Sequence, residues 1–168
     1  MLYTSNELQK KLDKLMDEKN KVQALLSKNT EFTASISEDV EVLKAENAFD
    51  LKETLNEIEA YNTKIMKIKH AKNVFNSTHR LPCGYTIDEA IIRMAVLSGL
   101  KNKLNDLSTK KSKERKANGL MREPEYVYAT YDIDFAKEAY QKLFDELQTI
   151  QNELNSVNAT VQIEVDVE

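Results

Sequence analysis

Aliphatic residues recur at steps of four and three along much of this chain, and this spacing constrains its fold more than any other feature. The most regular stretch contains Ala136, Tyr140, Leu143, Leu147, Ile150, Leu154 and Val157. Residues at this spacing lie on one side of an α-helix, where they can pack against a second helix. The pattern therefore predicts a long helix with one buried side, which begins after Asp132 or Asp134.

Three earlier stretches show the same kind of pattern behind their own start signals. Thr4 and Thr86 each precede a Glu by three residues, which is the pattern of a capping box, and a third stretch begins at Asp50. Their main apolar positions are Leu8, Leu12, Leu15, Val22 and Leu26; Leu51, Leu55, Ile58, Ile65, Ile68 and Phe75; and Ile87, Ile91, Met94, Leu97, Leu104 and Leu107. We expect three further helices.

Turn-forming residues are rare, which favours long helices. The 168 residues include three Gly and two Pro, and the densest turn signal is the pair Pro82 and Gly84. This turn divides the chain into a first helical hairpin, 1–80, and a second, 81–168, which includes a C-terminal strand. We expect one all-α domain, 1–168, made of antiparallel coiled-coil-like hairpins of the four-helix bundle type.

Two stretches have strand-like composition and predict a small β element near one end of the bundle. Residues 126–131 are rich in Tyr, and residues 159–168 alternate, with Val161, Ile163, Val165 and Val167 on one side. We expect these two strands to pair with each other. Residues 29–48 form an acidic connector, which we expect to pack on the helices through its apolar side chains.

A basic and polar segment at the end of the second predicted helix is the candidate binding site. Lysine side chains can attract an anion there, amides can hydrogen-bond a ligand, and a tyrosine can stack on a base. The candidate residues for a phosphate-bearing small molecule are Lys69, His70, Lys72, Asn73, Asn76, Thr78, His79, Arg80, Arg115, Arg122, Tyr126 and Tyr128. Residues 155–160 repeat the Asn and Thr pattern of residues 73–78 without the basic residues, so the pattern can instead mark a helix end.

No catalytic signature is present in the sequence: it contains no Gly-rich phosphate loop, serine elbow or paired-histidine motif. His70, His79 and Cys83 match no standard zinc spacing, and Cys83 lacks the pattern of a catalytic thiol. We therefore expect neither an enzyme nor a cofactor or metal site.

The charge pattern bears on partners and on location. Residues 64–122 are basic, but the acidic segments on either side repel phosphate, so we do not expect nucleic acid as a partner. The N-terminus has no long apolar run, and the single cysteine excludes an internal disulfide. We expect a cytoplasmic protein that does not bind membranes.

Three segments in the last two-thirds of the chain carry a family resemblance. They are the Asn/Thr ending of residues 73–78, the segment GYTIDEAIIR at 84–93, and the end of the last helix through Ile150, Gln151 and Asn155. The chain resembles small bacterial and phage-borne helical proteins that include the septicolysin-like family. The resemblance implies a helical-hairpin fold and self-association, with no settled activity.

Two functions follow as hypotheses. The first is a non-enzymatic, homo-oligomeric coiled-coil scaffold or interaction protein, because four apolar stripes need partners within one chain or across subunits. The second is a binding or sequestering protein for a nucleotide-like anion at the basic helix end.

Overall fold

The computed structural model describes residues 1–28, 30–116 and 123–166, and these residues are mainly helical. The elements in chain order are β1 (Leu2–Thr4), α1 (Ser5–Lys28), α2 (Val40–Glu46), α3 (Leu51–Thr78), α4 (Ile87–Ser108), β2 (Lys113–Arg115), β3 (Tyr126–Tyr128), α5 (Ile133–Thr160) and β4 (Gln162–Glu164). The four long helices occupy the four predicted stretches. Arg122 and Val167 lie outside the described residues, and so does the loop that Asn118 and Gly119 predict after the third long helix.

The helix starts follow the predicted capping chemistry. The Thr4 hydroxyl accepts from the backbone N–H of Glu7, and the Glu7 carboxylate accepts from the N–H of Thr4 at 2.8 Å. Thr86 and Glu89 make the same reciprocal pair before α4. For α5, Asp132 is the capping residue, because its Oδ1 accepts from the N–H groups of Asp134 and Phe135. The repeated Asn/Thr segments also behave alike, since α3 and α5 both end at their final Thr.

The chain divides into two compact units, whose boundaries lie inside α3 and α5. The first unit comprises Met1–Phe75 and Asn158–Glu168, and the second comprises Asn76–Val157. The C-terminal strand thus belongs to the first unit, whereas the sequence analysis grouped it with the second hairpin.

The first unit has a core between α1, α3 and β4. Leu8 and Ile68 are fully buried there, and Ile163 and Val165 of the C-terminal segment join them. The α1 residue Gln9 accepts a hydrogen bond from Lys72, late in α3. Because the start of α1 meets the end of α3, these two helices pack in opposite directions.

The second unit has a core between α4 and α5, made by Leu97, Leu143 and Leu147 with the half-buried Met94 and Leu104. Arg93, early in α4, binds Glu146, and the carbonyl of Leu107, late in α4, accepts from the hydroxyl of Tyr131, just before α5. A residue early in α4 thus contacts the middle of α5, and a residue late in α4 contacts the segment just before α5. The two helices are therefore also antiparallel.

The strand pairing differs from the prediction. β4 pairs with β1, with Tyr3 opposite Ile163, and β3 pairs with β2, with Glu114 opposite Val127. The two predicted strands therefore do not pair with each other, because each pairs with another strand of its own unit. Both sheets are antiparallel and two-stranded.

The connector also differs from the prediction. It contains the short helix α2, which begins after the capping residue Asp39, and most of its apolar side chains are exposed, whereas Leu43 is half-buried. Ile36 is fully exposed, and Phe32, Val40 and Val42 are exposed as well. The connector therefore does not pack on the helices as expected from its composition.

Candidate interaction surface

The most exposed regular apolar surface in the second unit runs along α4. Ile92, Val96 and Leu100 are exposed to 63%, 68% and 48%, and Leu107 continues the line at 38%. At 100° per residue these positions fall within about 80° of one another around the helix. We call these four residues the outer stripe. It lies beside the inner positions Ala90, Met94, Leu97 and Leu104, which pack within the unit or are half-buried.

An apolar stripe on the outward side of a helix is unusual for a helix that already buries another side. Complete burial of a Val, Leu or Ile side chain contributes about 1.5–3 kcal/mol, and a side chain that stays in water does not contribute this free energy. The outer stripe is therefore a candidate contact surface.

Two grooves adjoin the outer stripe. The first, of about 380 Å³, is lined by Tyr85, Glu89, Ile92, Arg93 and Val96. The second, of about 470 Å³, lies between α4 and α5, and its lining includes Leu100, Leu104 and Phe135. Phe135 is 68% exposed. The apolar surface thus extends from α4 onto α5.

An ion pair separates the two grooves. Arg93 lies within 2.8 Å of Glu146, and this hydrogen bond, more than the Coulombic attraction between them, raises the pKa of the Arg93 guanidinium. Both side chains are partly exposed, so the pair ties α4 to α5 at the surface of the unit.

Four of the predicted anion-site residues lie on α3 in the first unit. Lys69, His70 and Asn73 are exposed, and Lys72 is half-buried. The Lys72 ammonium donates to Oε1 of Gln9, and partial burial lowers the pKa of this lysine, which the nearby Asp13 opposes. Lys72 is therefore part of the contact between α1 and α3.

Another four lie around the turn that leads into α4. Arg80 donates from Nη1 to the carbonyl oxygen of Gly84 at 2.8 Å, and the carbonyl of His79 accepts from the N–H of Ile87. Gly84 has a φ of 95°, which glycine adopts without strain. Asn76 and Thr78 lie on the last turn of α3. Arg80 therefore has a structural partner in closing this turn.

Arg115, Tyr126 and Tyr128 lie on the β2–β3 ribbon, beyond the other end of α4. The 22 residues of α4 span roughly 33 Å at 1.5 Å per residue. The structure therefore does not bring these three residues next to Arg80. The Lys113 ammonium lies 4.2 Å from the ring centroid of Tyr126 and 5.4 Å from that of Tyr128, so a cation already contacts both rings. Arg122 lies outside the described residues.

The grooves described so far are lined by residues outside 69–80, and so is a larger one of about 660 Å³ in the first unit. That groove is formed by the end of α1 and the connector, with Lys28, Phe32, Lys44 and Phe49 among its lining residues. Anion binding by the basic helix end stays a prediction.

The surroundings of the acidic side chains, histidines and Cys83 bear on metal and thiol chemistry. Within residues 1–28, 30–116 and 123–166, no three His, Cys, Asp or Glu side chains cluster in a way that can hold a metal ion. The Cys83 N–H donates to Glu153, and desolvation together with this carboxylate raises the pKa of the thiol. A raised pKa keeps the thiol protonated at neutral pH, which is opposite to the need of a nucleophile.

Comparison with known proteins gives the fold and no activity. No protein-family model matches the chain, and no curated protein matches it. The crystal structure of a functionally unknown conserved protein from Corynebacterium diphtheriae is similar, with a TM-score of 0.56 and 16% sequence identity over 98% of this chain and 100% of that one. At this identity the likeness shows a shared fold alone.

The shared fold leaves the family resemblance of the sequence as a prediction. In the part of the chain that the structure describes, no helix combines the length and the apolar character needed to cross a bilayer.

The outer stripe is the feature that sequence reasoning missed. The predicted packed side of α4 includes Ile91 and Leu107, yet both are exposed in the structure. Ile92, Val96 and Leu100 follow one another in steps of four, which is the sequence signal for a second apolar stripe. One side of a helix cannot hold both these residues and the inner positions of α4.

Proposed function

We propose that this protein is a cytoplasmic, non-enzymatic scaffold that assembles with copies of itself through the outer stripe of α4. The observation that carries the proposal is the exposure of Ile92, Val96 and Leu100 on a helix whose other side is already packed. A second copy can bury this surface, which a single copy leaves in water.

Self-assembly through this surface also accounts for the predicted four-helix bundle. One α4–α5 hairpin buries only the side on which Leu97, Leu143 and Leu147 meet. Two hairpins that place their outer stripes together bring four helices around a common apolar centre. The bundle then forms across two copies of the chain.

Burial of the outer stripe supplies part of the free energy that association needs. Two copies contribute six side chains from Ile92, Val96 and Leu100, each about half to two-thirds exposed. Burial of the exposed part contributes about 1 kcal/mol per side chain on the same scale as complete burial. The gain offsets part of the cost of bringing two molecules together, and the apolar surface of Phe135 and Leu104 can add to it.

A matched pair of variants tests this proposal. Ile92→Asp places a charge on the outer stripe, whereas Ile91→Asp places the same charge on the neighbouring residue, which is exposed to 49% and points about 100° away. We expect light scattering after size exclusion to give a multiple of the chain mass for the unmodified protein and for Ile91→Asp. Ile92→Asp should give the mass of one chain.

Circular dichroism provides the folding control, because both variants should keep the helix content of the unmodified protein. An unmodified protein with the mass of one chain at all concentrations contradicts the proposal. A folded Ile92→Asp variant that assembles as the unmodified protein does would contradict the assignment of the surface.

A further inference from the structure

The outer stripe of α4 has a symmetric arrangement of residue types about Val96. Ile92 and Leu100 lie four residues to either side, and Glu89 and Lys103 lie seven residues to either side. The pattern continues to Tyr85 and Leu107 at eleven residues. Apolar residues thus match apolar residues across the centre, and the acid matches the base.

We propose that two copies of this chain pair their α4 helices antiparallel, with a two-fold axis at Val96; this inference rests on the proposed self-assembly. A two-fold axis reverses one helix against the other, so each residue meets the residue equally far from Val96 on the second copy. Glu89 therefore lies level with Lys103 of the second copy, and Ile92 lies level with Leu100. The two-fold axis makes each of these contacts occur twice.

The charges select this arrangement over a parallel one. In a parallel pair Glu89 would lie beside Glu89 and Lys103 beside Lys103, which places like charges opposite each other at both ends. In the antiparallel pair each acid meets a base. Residues equally far from Val96 are complementary in type, so a second copy of this chain fits the outer stripe. The complementary charges make the two α4 helices antiparallel.

Both charged groups are available for this contact. Lys103 makes no ion pair within the described part of the chain. Glu89 uses Oε2 to accept from the N–H of Thr86 at 2.7 Å, so its other oxygen can accept from an ammonium group. The hydrogen bond from the Thr86 N–H lowers the pKa of Glu89, and the Arg80 charge on the preceding turn adds a smaller effect in the same direction.

Gly99 gives a second, independent observation. A glycine inside a helix lowers the folding equilibrium constant about fivefold relative to alanine, and a Cβ added at Gly99 would meet no atom within 4 Å in this structure. Packing within the chain therefore does not require glycine there. In the antiparallel pair Gly99 lies about 1.5 Å from the level of Ile92 of the second copy and on the same side of the contact, where its missing side chain makes room for Ile92.

The groove beside the outer stripe fits the same arrangement. Its lining includes Tyr85, Ile92 and Val96. Leu100 of the second copy lies level with Ile92, and Leu107 of the second copy lies level with Tyr85. Both leucines can therefore occupy this groove, and the two-fold axis repeats the contact on the other copy.

Site-directed crosslinking tests the direction of pairing. Cys83→Ala removes the one native thiol, and Val96→Cys, Ile92→Cys or Leu100→Cys then adds a single thiol, which a mild oxidant can convert to a disulfide between copies. Two residues 92 lie roughly 12 Å apart along an antiparallel pair, beyond the reach of a disulfide. We expect a crosslinked dimer from Val96→Cys alone and from a mixture of Ile92→Cys with Leu100→Cys.

Charge variants test the contact of Glu89 with Lys103. Lys103→Glu should weaken self-association about tenfold, since it puts two like-charge contacts into the pair. Adding Glu89→Gln should recover most of that loss, because Gln keeps the capping box and removes the repulsion. Lys52→Glu, an exposed lysine of α3, makes the same change in net charge and should leave association unchanged.

The outcomes separate this inference from the proposed function. A protein that never self-associates overturns both. A dimer that crosslinks equally at residues 92, 96 and 100 is parallel, and this result overturns the inference alone. A dimer that crosslinks at none of them uses another surface, and this result overturns both the inference and the contact surface of the proposed function. Loss of association in Lys103→Glu without recovery in the double variant also counts against it.

Discussion

Both Nε and Nη2 of Arg93 lie 2.8 Å from the same carboxylate oxygen of Glu146, so one side chain of α4 is joined to α5 by two contacts. The pair crosses the surface of the second unit above the core of Leu97, Leu143 and Leu147. Its guanidinium also lines both grooves beside the outer stripe. The ion pair therefore helps to fix the spacing of the two helices that carry the candidate interaction surface.

A double-mutant cycle on Arg93→Met and Glu146→Gln should give a small favourable coupling free energy, since the pair has good geometry but is partly exposed. The coupling should shrink in 1 M salt because mobile ions screen exposed charges. The exposed pair Lys14 and Glu18, with atoms 3.8 Å apart, is the control and should give a smaller coupling. Urea unfolding at one protein concentration measures both cycles, and equal couplings would contradict the expected difference.

A cavity in the core of the first unit should lower the free energy of unfolding strongly. Ile68→Ala should lower the free energy of unfolding by about 2–5 kcal/mol, because Ile68 is fully buried among leucines of α1 and residues of β4. Ile36→Ala, the same substitution on the exposed connector, should change it by less than about 0.5 kcal/mol. Thermal or urea unfolding measures the difference. Similar losses from both would mean that the connector is packed in solution.

The capping boxes predict acid sensitivity. The backbone N–H of Thr86 holds the pKa of Glu89 below the ordinary value of 4.5, and the N–H of Thr4 does the same for Glu7. Carboxylates with a depressed pKa in the folded state stabilise it above the ordinary pKa, and this stability is lost as pH falls through the folded value.

Unfolding experiments between pH 6 and pH 3 can check this expectation. The unmodified protein should lose stability below about pH 4.5, and Glu89→Gln should lose less over the same range because Gln cannot be protonated there. Glu7→Gln should act in the same direction for the first unit. Identical acid profiles for the variants and the unmodified protein would show that these carboxylates keep their ordinary pKa values.

The turn around Gly84 predicts a slow thiol. Cys83 is exposed, yet desolvation and the Glu153 carboxylate raise its pKa, so less thiolate is present at neutral pH. Alkylation by iodoacetamide at pH 7.5 should be slower in the folded protein than in the chain unfolded by guanidinium. Glu153→Gln should speed the folded reaction. A folded thiol that reacts faster than the unfolded one would indicate an activated cysteine and reopen the question of catalysis.

The helices were predictable because their signals are local. Thr4 and Thr86 with their Glu partners mark the helix starts, and the four-three spacing that ends at Val157 marks the packed side of the last helix. The pairing of the strands was not predictable in the same way. Three-residue strands carry too little pattern to select a partner, and the partner of β4 is 158 or more positions away along the chain, at Leu2–Thr4.

The candidate anion site was likewise predictable only in part. Residues 69–80 are rich in groups that can bind an anion, but composition does not show which partners they have in the fold. Lys72 binds Gln9 and Arg80 binds the carbonyl of Gly84, contacts that only the folded chain reveals. The outer stripe was not recognised in the sequence because α4 has apolar residues on two sides. Together these residues obscure the helical spacing of each side.

The equilibrium mass of the unmodified protein tests the central claim most directly. Sedimentation equilibrium over a wide range of protein concentrations should fit an association of two chains, with the dimer favoured at high concentration. A single-chain mass at every concentration would contradict the claim that the outer stripe of α4 is buried against a second copy.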